Sequence, residues 1–434
     1  MSADVLIAHA PKSSPLVRLS LPVLAVIAVA GLWALYVRMR DGLVVTNLGQ
    51  VVPWGVWVAF YIYFIGLSAG SFLLSSLVFV FRNEKLEPVG RTAVLQAFFC
   101  LLTGLVFILI DLGHWQRFYY AIIYPQFKSV LAWEIWFYIA YIAILLAELW
   151  LLMWCDLARW AGEARGWWAT VYRLLSLGFR CPTNPAEETA CKRQTLRWLF
   201  VLGVIGIPVA LGVHGGTGAI FAVVKARPAW YSPIFPVVFI ISALASGGGL
   251  LLFLRALVTP EPERDREILP LLAKITGGFL LADLLLLGLE FLTGLYGGIP
   301  DHVEVYRLIA YGPFWYIFWI LQLGLGAVVP LALIFIRSSA AGPVRLGLAG
   351  FLVFVGIFGV RLNIVIPALA VPVFRGYEHA FDSPRMESLY VPNAVEWLSS
   401  LGIVCAVTLV AYAAMRFLPM TEHQPLPRRA SQNV

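Results

Sequence analysis

Asp111, His114, Arg117 and Tyr120 recur at every third position in an otherwise apolar stretch. An acid and an imidazole three residues apart share one face of a helix, and a guanidinium and a phenol follow at the same step. Together such groups can bind a carbonyl oxygen and supply its proton. The same residues also fit an interfacial ion pair with no ligand. His214 is a second candidate, in the run Val213-His214-Gly215-Gly216-Thr217-Gly218. Small and polar neighbours, Thr217 among them, leave room for a planar ligand beside a titratable ring; the alternative is a histidine bonded to its own helix. A deeper set comprises Glu148, Asp283, Glu290 and Arg361, with Gln322 and Asn363 in neighbouring segments. Asp283 and Glu290 are two turns apart on one helix face. Ionisable groups are costly in lipid, so Asp283, Glu290 and Arg361 fit either a buried ion-pair network that fixes packing or the carriage of protons.

The elements that must position these groups are membrane spans. The chain is 61% apolar and 13% charged, about half the charge of a soluble domain. A spanning helix needs about 20 apolar residues, and runs near 16–37, 55–81, 92–113, 131–155, 197–222, 233–258, 271–295, 311–336, 344–373 and 396–418 qualify. Pro367 and Pro372 are expected to kink the ninth or end it early. The first run is too long for a signal-peptide core and reads as a signal anchor. An all-α polytopic membrane protein of ten transmembrane helices follows.

Part of the chain repeats. Residues 66–74, Gly66-Leu67-Ser68-Ala69-Gly70-Ser71-Phe72-Leu73-Leu74, align with 243–251, Ala243-Leu244-Ala245-Ser246-Gly247-Gly248-Gly249-Leu250-Leu251. Asp111 then pairs with Glu290, and Trp136 with Trp315, at nearly the same offset. Small residues at such positions let helices pack closely in lipid, and duplicated bundles often frame a site at their interface.

Of the 31 lysines and arginines, 21 fall on the side of the N-terminus and nine, Arg38 and Arg40 among them, on the other; Arg361 lies within a span. Both termini are therefore expected in the cytoplasm. The net charge of +7 reflects that topology and implies no nucleic-acid binding. The five cysteines, with Cys181 and Cys191 expected in one cytoplasmic loop, form no Cys-x-x-Cys, so no iron–sulfur or zinc site is expected in this chain. Of six histidines only His214 lies well inside a span, too few for two membrane haems, so no haem is expected either. The connection 156–196 is basic. Its Arg159 to Trp168 stretch fits an amphipathic interfacial helix, Arg180 to Pro185 fits turns, and the tail from Thr421 reads as disordered. Residues 38–54, 114–130, 296–310 and 374–395 are rich in aromatics, Pro and Gly, and fit either a docking surface on the outer face or lids over the helix ends.

These residues resemble the NrfD-type membrane subunits, a family that includes the polysulfide reductase and hydrogenase-2 anchors. The likeness covers about 40 to 400. It rests on Pro53-Trp54-Gly55 leading to Gly66-Leu67-Ser68-Ala69-Gly70, on Gln116-Arg117-Phe118, and on Pro125-x-x-x-Ser129 leading to Trp133-x-x-Trp136. It rests further on Arg227-Pro228-Ala229-Trp230, and Arg361-Leu362-Asn363 with Tyr390-Val391-Pro392-x-x-x-Glu396 resembles the ten-helix branch. The resemblance implies two four-helix bundles, helices two to five and six to nine, plus one flanking helix at each edge. The corresponding units are residues 1–40, 41–230, 231–375 and 376–434. It implies a quinone site, for menaquinone or ubiquinone, at the outer end of the first bundle; there Asp111 and His114 are expected to be catalytic and Trp54, Tyr61, Arg117, Tyr120, His214, Thr217 and Trp230 to contact the quinone. It implies a ferredoxin-like partner with four [4Fe–4S] clusters on the outer face, followed by a molybdopterin or nickel–iron catalytic subunit, in a bacterial inner membrane. Two departures stand out. Shorter anchors have a histidine where Tyr61 aligns, and their Gly-Arg-Pro is replaced by Gly113-His114-Trp115.

The expected function is that of a quinone-reactive anchor with no metal or redox cofactor of its own. It oxidises quinol, or reduces quinone, against the partner, with Glu148, Asp283, Glu290 and Arg361 as a candidate proton path. The alternative is a secondary transporter, which also uses repeats and midplane acids.

Overall fold

The computed structural model describes residues 15–164, 166–179, 185–258, 262–336, 342–376 and 382–419. His9, Cys181, His379, His423, the expected turns at 180–184 and the tail from Thr421 lie outside the described residues. Among the described residues, ten helices are long and apolar enough to cross a membrane. They are α1 (Pro15–Asp41), α2 (Val56–Phe79), α3 (Glu87–Asp111), α4 (Val130–Glu163) and α5 (Pro185–Ala222). The second half holds α6 (Phe235–Val258), α7 (Pro262–Gly297), α8 (Ile317–Phe335), α9 (Pro343–Ala370) and α10 (Ala394–Phe417). No strand occurs among the described residues.

Helices α2, α3, α4 and α5 pack in a ring, and α6, α7, α8 and α9 form a second ring of the same order. The rings join where α2 meets α6 and α9, and where α5 meets α6. The sequence repeat explains this junction. Gly70 and Gly247 occupy equivalent steps of the two copies and face each other across it. A Cβ on Gly70 would stand 1.9 Å from the Ala243 carbonyl oxygen, and one on Gly247 2.6 Å from the Ser71 amide nitrogen. Only glycine lets these backbones approach so closely, the packing that helices in lipid rely on. His214 and Arg361 behave alike. Each follows a Gly-Val pair, on α5 and α9, and their side chains meet at the same junction.

The two flanking helices stand side by side instead of on opposite edges. Helix α1 packs along α10, and the pair leans on α3 and α2. Gly31 and Gly402 permit it, since a Cβ on either would lie within 2.3 Å of the other's Cα. A buried clamp fastens the pair to α2. Glu396, fully buried, closes a capping box with Asn393 at the start of α10 and accepts from the Asn47 amide at 3.0 Å. It also accepts the Tyr390 hydroxyl at 2.5 Å, and that hydroxyl in turn accepts the Val56 amide at the start of α2.

Three expectations need correction. Arg38, counted among the loop charges, is fully buried in α1 and donates to the Ile110 and Leu112 carbonyls at the end of α3. Those carbonyls have no partner within their own helix, which holds the guanidinium there. The stretch from Arg159 to Trp168 is not one interfacial helix. Helix α4 runs on to Glu163, Gly166 turns with φ of +67°, and a separate helix spans Trp167–Leu175. Cys191 sits in α5, not in a loop, with its sulfur 3.4 Å from that of Cys155. Helix α9 passes through Pro367 and ends at Ala370, just before Pro372.

Residues 42–55, 112–129, 223–234, 298–316, 371–376 and 382–393 gather at one end of the bundles, called here the loop-rich face.

Candidate functional site

One stripe of α4 points into the first bundle. Glu134, Tyr138, Tyr141, Leu145 and Glu148 step by three and four residues, and all are buried. Near the loop-rich face the stripe forms a connected polar cluster. The Tyr138 hydroxyl donates to Glu134 Oε1 at 2.8 Å, and Thr217 of α5 donates to the same oxygen. The Tyr61 hydroxyl of α2 lies 2.7 Å from that of Tyr138. Glu134 Oε2 has no partner among the described residues although Glu134 is fully buried. An unsatisfied carboxylate oxygen in such a place costs free energy and marks where a further donor belongs. Deeper in α4, Tyr141 donates to the Ser68 carbonyl at 3.1 Å, and Glu148 Oε2 is again buried and unpartnered.

His214 lies about one helical turn from this cluster on α5, since Thr217 follows by three. The ring is buried 5.3 Å from that of Phe239, and its Nε2 is 3.4 Å from the Arg361 guanidinium. Arg361 also donates to Ser242 and lies over Phe239 at 4.6 Å. Among the described residues Arg361 makes no ion pair with Asp283 or Glu290, so the network expected of these three is not formed as such. Instead, Asp283 and Glu290 line a cavity of about 60 Å³ in the second bundle, together with Gln322, Asn363 and Trp230.

Trp54 and Trp230 meet. Their rings stack at 5.9 Å, and Phe221 packs edge-on to both. The Trp230 indole donates to the Ile364 carbonyl at 2.7 Å. Arg227 of the same motif caps α9 by donating to the Ala368, Leu369 and Val371 carbonyls. The motif thus straps the bundles together at the loop-rich face.

The remaining predicted residues are elsewhere. Asp111 ends α3 with Oδ1 buried and unpartnered, in the field of Arg38 and Glu396. The helix stops there, so His114 falls in the following turn and is exposed, as are Arg117 and Tyr120. None of the three bonds to Asp111 among the described residues. They belong to an outward aromatic surface that includes Phe118, Tyr124, Phe127 and Trp133.

Sequence reading missed Glu134, Tyr138 and Tyr141. Glu134 lies between Trp133 and Trp136, only five residues after Ser129, and such tryptophans suggest a helix end at the interface. The available signal was the three-and-four spacing through to Glu148.

The profile of the polysulphide reductase NrfD family matches residues 44–373. The chain belongs to the NrfD family. It is a multi-pass integral membrane protein. It is 41% identical to a selenate reductase subunit of Mesobacillus selenatarsenatis over 94% of this chain and 95% of that protein. It is 26% identical to the Hdr-like menaquinol oxidoreductase integral membrane subunit of Archaeoglobus fulgidus, over 95% and 94% of the two. It is also 24% identical to the menaquinone reductase integral membrane subunit of Nitratidesulfovibrio vulgaris, over 90% and 88%.

Proposed function

We propose that the chain is the membrane subunit of an oxidoreductase complex and that a quinol gives up its electrons in the first bundle, beside Glu134. The carrying observation is the fully buried Glu134 carboxylate, with one oxygen held by Tyr138 and Thr217 and the other free. A quinol hydroxyl is the donor this free oxygen lacks. Glu134 then accepts one of the quinol's two protons as the two electrons leave to the partner's clusters, the linked hydroxyls of Tyr138 and Tyr61 spread the charge change, and the second proton is released at the loop-rich face, where Asp111 stands. The reverse reaction uses the same groups. Thr217 and, one turn before it, His214 flank the Glu134 cluster on α5, and the Trp54–Phe221–Trp230 aromatics lie toward the loop-rich face. Menaquinone is the favoured substrate, because two relatives over nearly the whole chain carry menaquinol or menaquinone in their names. Ubiquinone has no such support.

In this reading residues 41–230 are the redox unit and 231–375 its companion bundle. The loop-rich face is the outer face of a bacterial inner membrane, with both termini cytoplasmic. The exposed aromatics from Phe118 to Trp133, with His114, Arg117 and Tyr120, receive an iron–sulfur subunit that passes electrons to a molybdopterin or nickel–iron catalytic subunit. Asp111 serves proton exit near that surface. The transporter alternative gains nothing from the relatives, which are named as oxidoreductase subunits.

The test is turnover of the assembled complex with a soluble menaquinol analogue. Glu134→Gln should lower it about 100-fold, the range of a lost general base, with the complex still assembled. Wild-type turnover in assembled Glu134→Gln refutes the site.

A further inference from the structure

The inward stripe of α4 does not end at Glu148. Its steps of four and three residues continue through Leu152 to Cys155, at the end of the bundle opposite the loop-rich face. A stripe of α5 runs beside it, buried from Thr217 through Ala210 and Gly206 to Leu199, and two further steps of four reach Thr195 and Cys191. The stripes meet along one seam. Thr217 donates to Glu134 at its loop-rich end, a Cβ on Gly203 would lie 3.9 Å from Glu148 Oε1 further in, and the Cys155 and Cys191 sulfurs stand 3.4 Å apart at the base. The thiols are set in place by their neighbours. Trp154 donates to the Thr195 hydroxyl at 3.0 Å, and that hydroxyl donates to the Cys191 carbonyl at 3.1 Å. Both cysteines are half-buried, whereas Cys100 and Cys405 are buried. Charges surround the pair: Asp156 meets Arg91 at 2.9 Å, and Lys192 and Arg193 are exposed. Such charges belong at the headgroup level and not in hydrocarbon, so the thiols lie where water-borne reagents arrive.

We propose that Cys155 and Cys191 form a thiol–disulfide exchange site that takes a low-molecular-weight disulfide and, once closed, slows the redox bundle. One cysteine, as thiolate, attacks the small disulfide R–S–S–R, forms a mixed disulfide and releases one R–SH. The other attacks the cysteine sulfur of that mixed disulfide, closes the Cys155–Cys191 bond and releases the second R–SH. Two electrons pass from the thiol pair to the small disulfide, and the two thiol protons leave on the two R–SH. Closure moves the sulfurs from 3.4 Å to about 2.0 Å and ties the inner ends of α4 and α5 directly. Glu134 and Thr217 stand at the far ends of the same two helices. A fixed base therefore restricts how that pair adjusts around a quinol, and small misplacements of a reacting group are costly in rate. In the topology proposed above the site faces the cytoplasm, where thiols are the resting form and disulfides are transient signals. The exchange site stands on the thiol geometry alone; its effect on turnover rests on the redox reading.

The test treats membranes holding the assembled complex with glutathione disulfide and follows the digested chain by mass spectrometry. The expected product is the Cys155 peptide joined to the Cys191 peptide, two hydrogens lighter than the reduced pair and opened again by dithiothreitol. It should form roughly tenfold faster than any adduct at Cys100. In Cys191→Ser the reaction should stop with glutathione attached to Cys155. Wild-type complex in which the two cysteines stay reduced, carry glutathione singly or join Cys181 instead overturns the exchange site. Turnover of the same samples with a soluble menaquinol analogue is the second measurement. Closure should lower it roughly threefold or more, dithiothreitol should restore it, and the double variant Cys155→Ser with Cys191→Ser should not respond to glutathione disulfide. Full turnover with the bond closed overturns the slowing. A complex that forms the bond but turns over no quinol in either state would sink the redox reading and leave the exchange site standing.

Discussion

The two bundles are copies that have filled their centres differently. In the first, α4 brings Glu134, Tyr138 and Tyr141 inward; the tyrosine hydroxyls and one Glu134 oxygen are hydrogen-bonded, and the other Glu134 oxygen is free. In the second, the corresponding space is hollow, and Asp283 and Glu290 face it without partners. A bonded cluster with a single opening suits one bound molecule held in a fixed pose. A cavity with unbonded acids suits mobile water. The two rings share one frame, and the side chains facing each centre are what differ. At the junction, equivalent positions diverge as well, into a histidine on α5 and an arginine on α9.

Breaking the frame should have the largest effect. Gly247→Leu forces α6 away from α2, where even a Cβ would collide with the backbone at 2.6 Å, and should abolish assembly, measured by recovery of the complex from detergent. Next comes the first bundle's chemistry. Beside the loss expected for Glu134→Gln, Tyr138→Phe should lower menaquinol turnover about tenfold, because it removes one of two donors to the carboxylate, about 1.4 kcal/mol in the barrier. Equal turnover in Tyr138→Phe and wild type would detach the tyrosine from the chemistry. Arg361→Met should leave assembly intact but let sealed vesicles leak protons several-fold faster than wild type, since the buried cation at the junction of the bundles is lost. A tight membrane in that variant would mean that packing alone separates them. The smallest effect concerns the clamp. Tyr390→Phe takes the donor from Glu396 and the acceptor from the Val56 amide, and should cost about 1–3 kcal/mol of stability, read as a lowered unfolding midpoint, with turnover unchanged.

Much of the frame was legible in the sequence because lipid imposes simple rules. Ten apolar runs gave ten helices, and the repeated small residues marked the junction of the bundles. Helix ends were less legible: α4, α5 and α7 carry on beyond their apolar runs, since nothing in polar flanking sequence tells a helix to stop. The clamp motif Tyr390 to Glu396 was visible as a pattern, but its role emerges only when Asn47 and Val56 arrive from the far end of the chain. The candidate site was harder still. Asp111 and His114 look adjacent by spacing, yet α3 ends between them and the histidine turns outward. Glu134 was hidden by flanking tryptophans, and its partners Tyr61 and Thr217 come from other helices. Hydropathy locates spans but does not say which face of a uniformly apolar helix turns inward.

The division of labour is tested most directly by measuring electrons and protons together. The assembled complex, in sealed vesicles with menaquinol analogue and the partner's own acceptor, is compared as wild type, Glu134→Gln and Asp283→Asn. The expected result is that Glu134→Gln loses electron transfer about 100-fold, whereas Asp283→Asn keeps at least half of it and loses most of the protons moved per electron. Electron transfer lost in Asp283→Asn and retained in Glu134→Gln would contradict the account, placing the redox site in the second bundle.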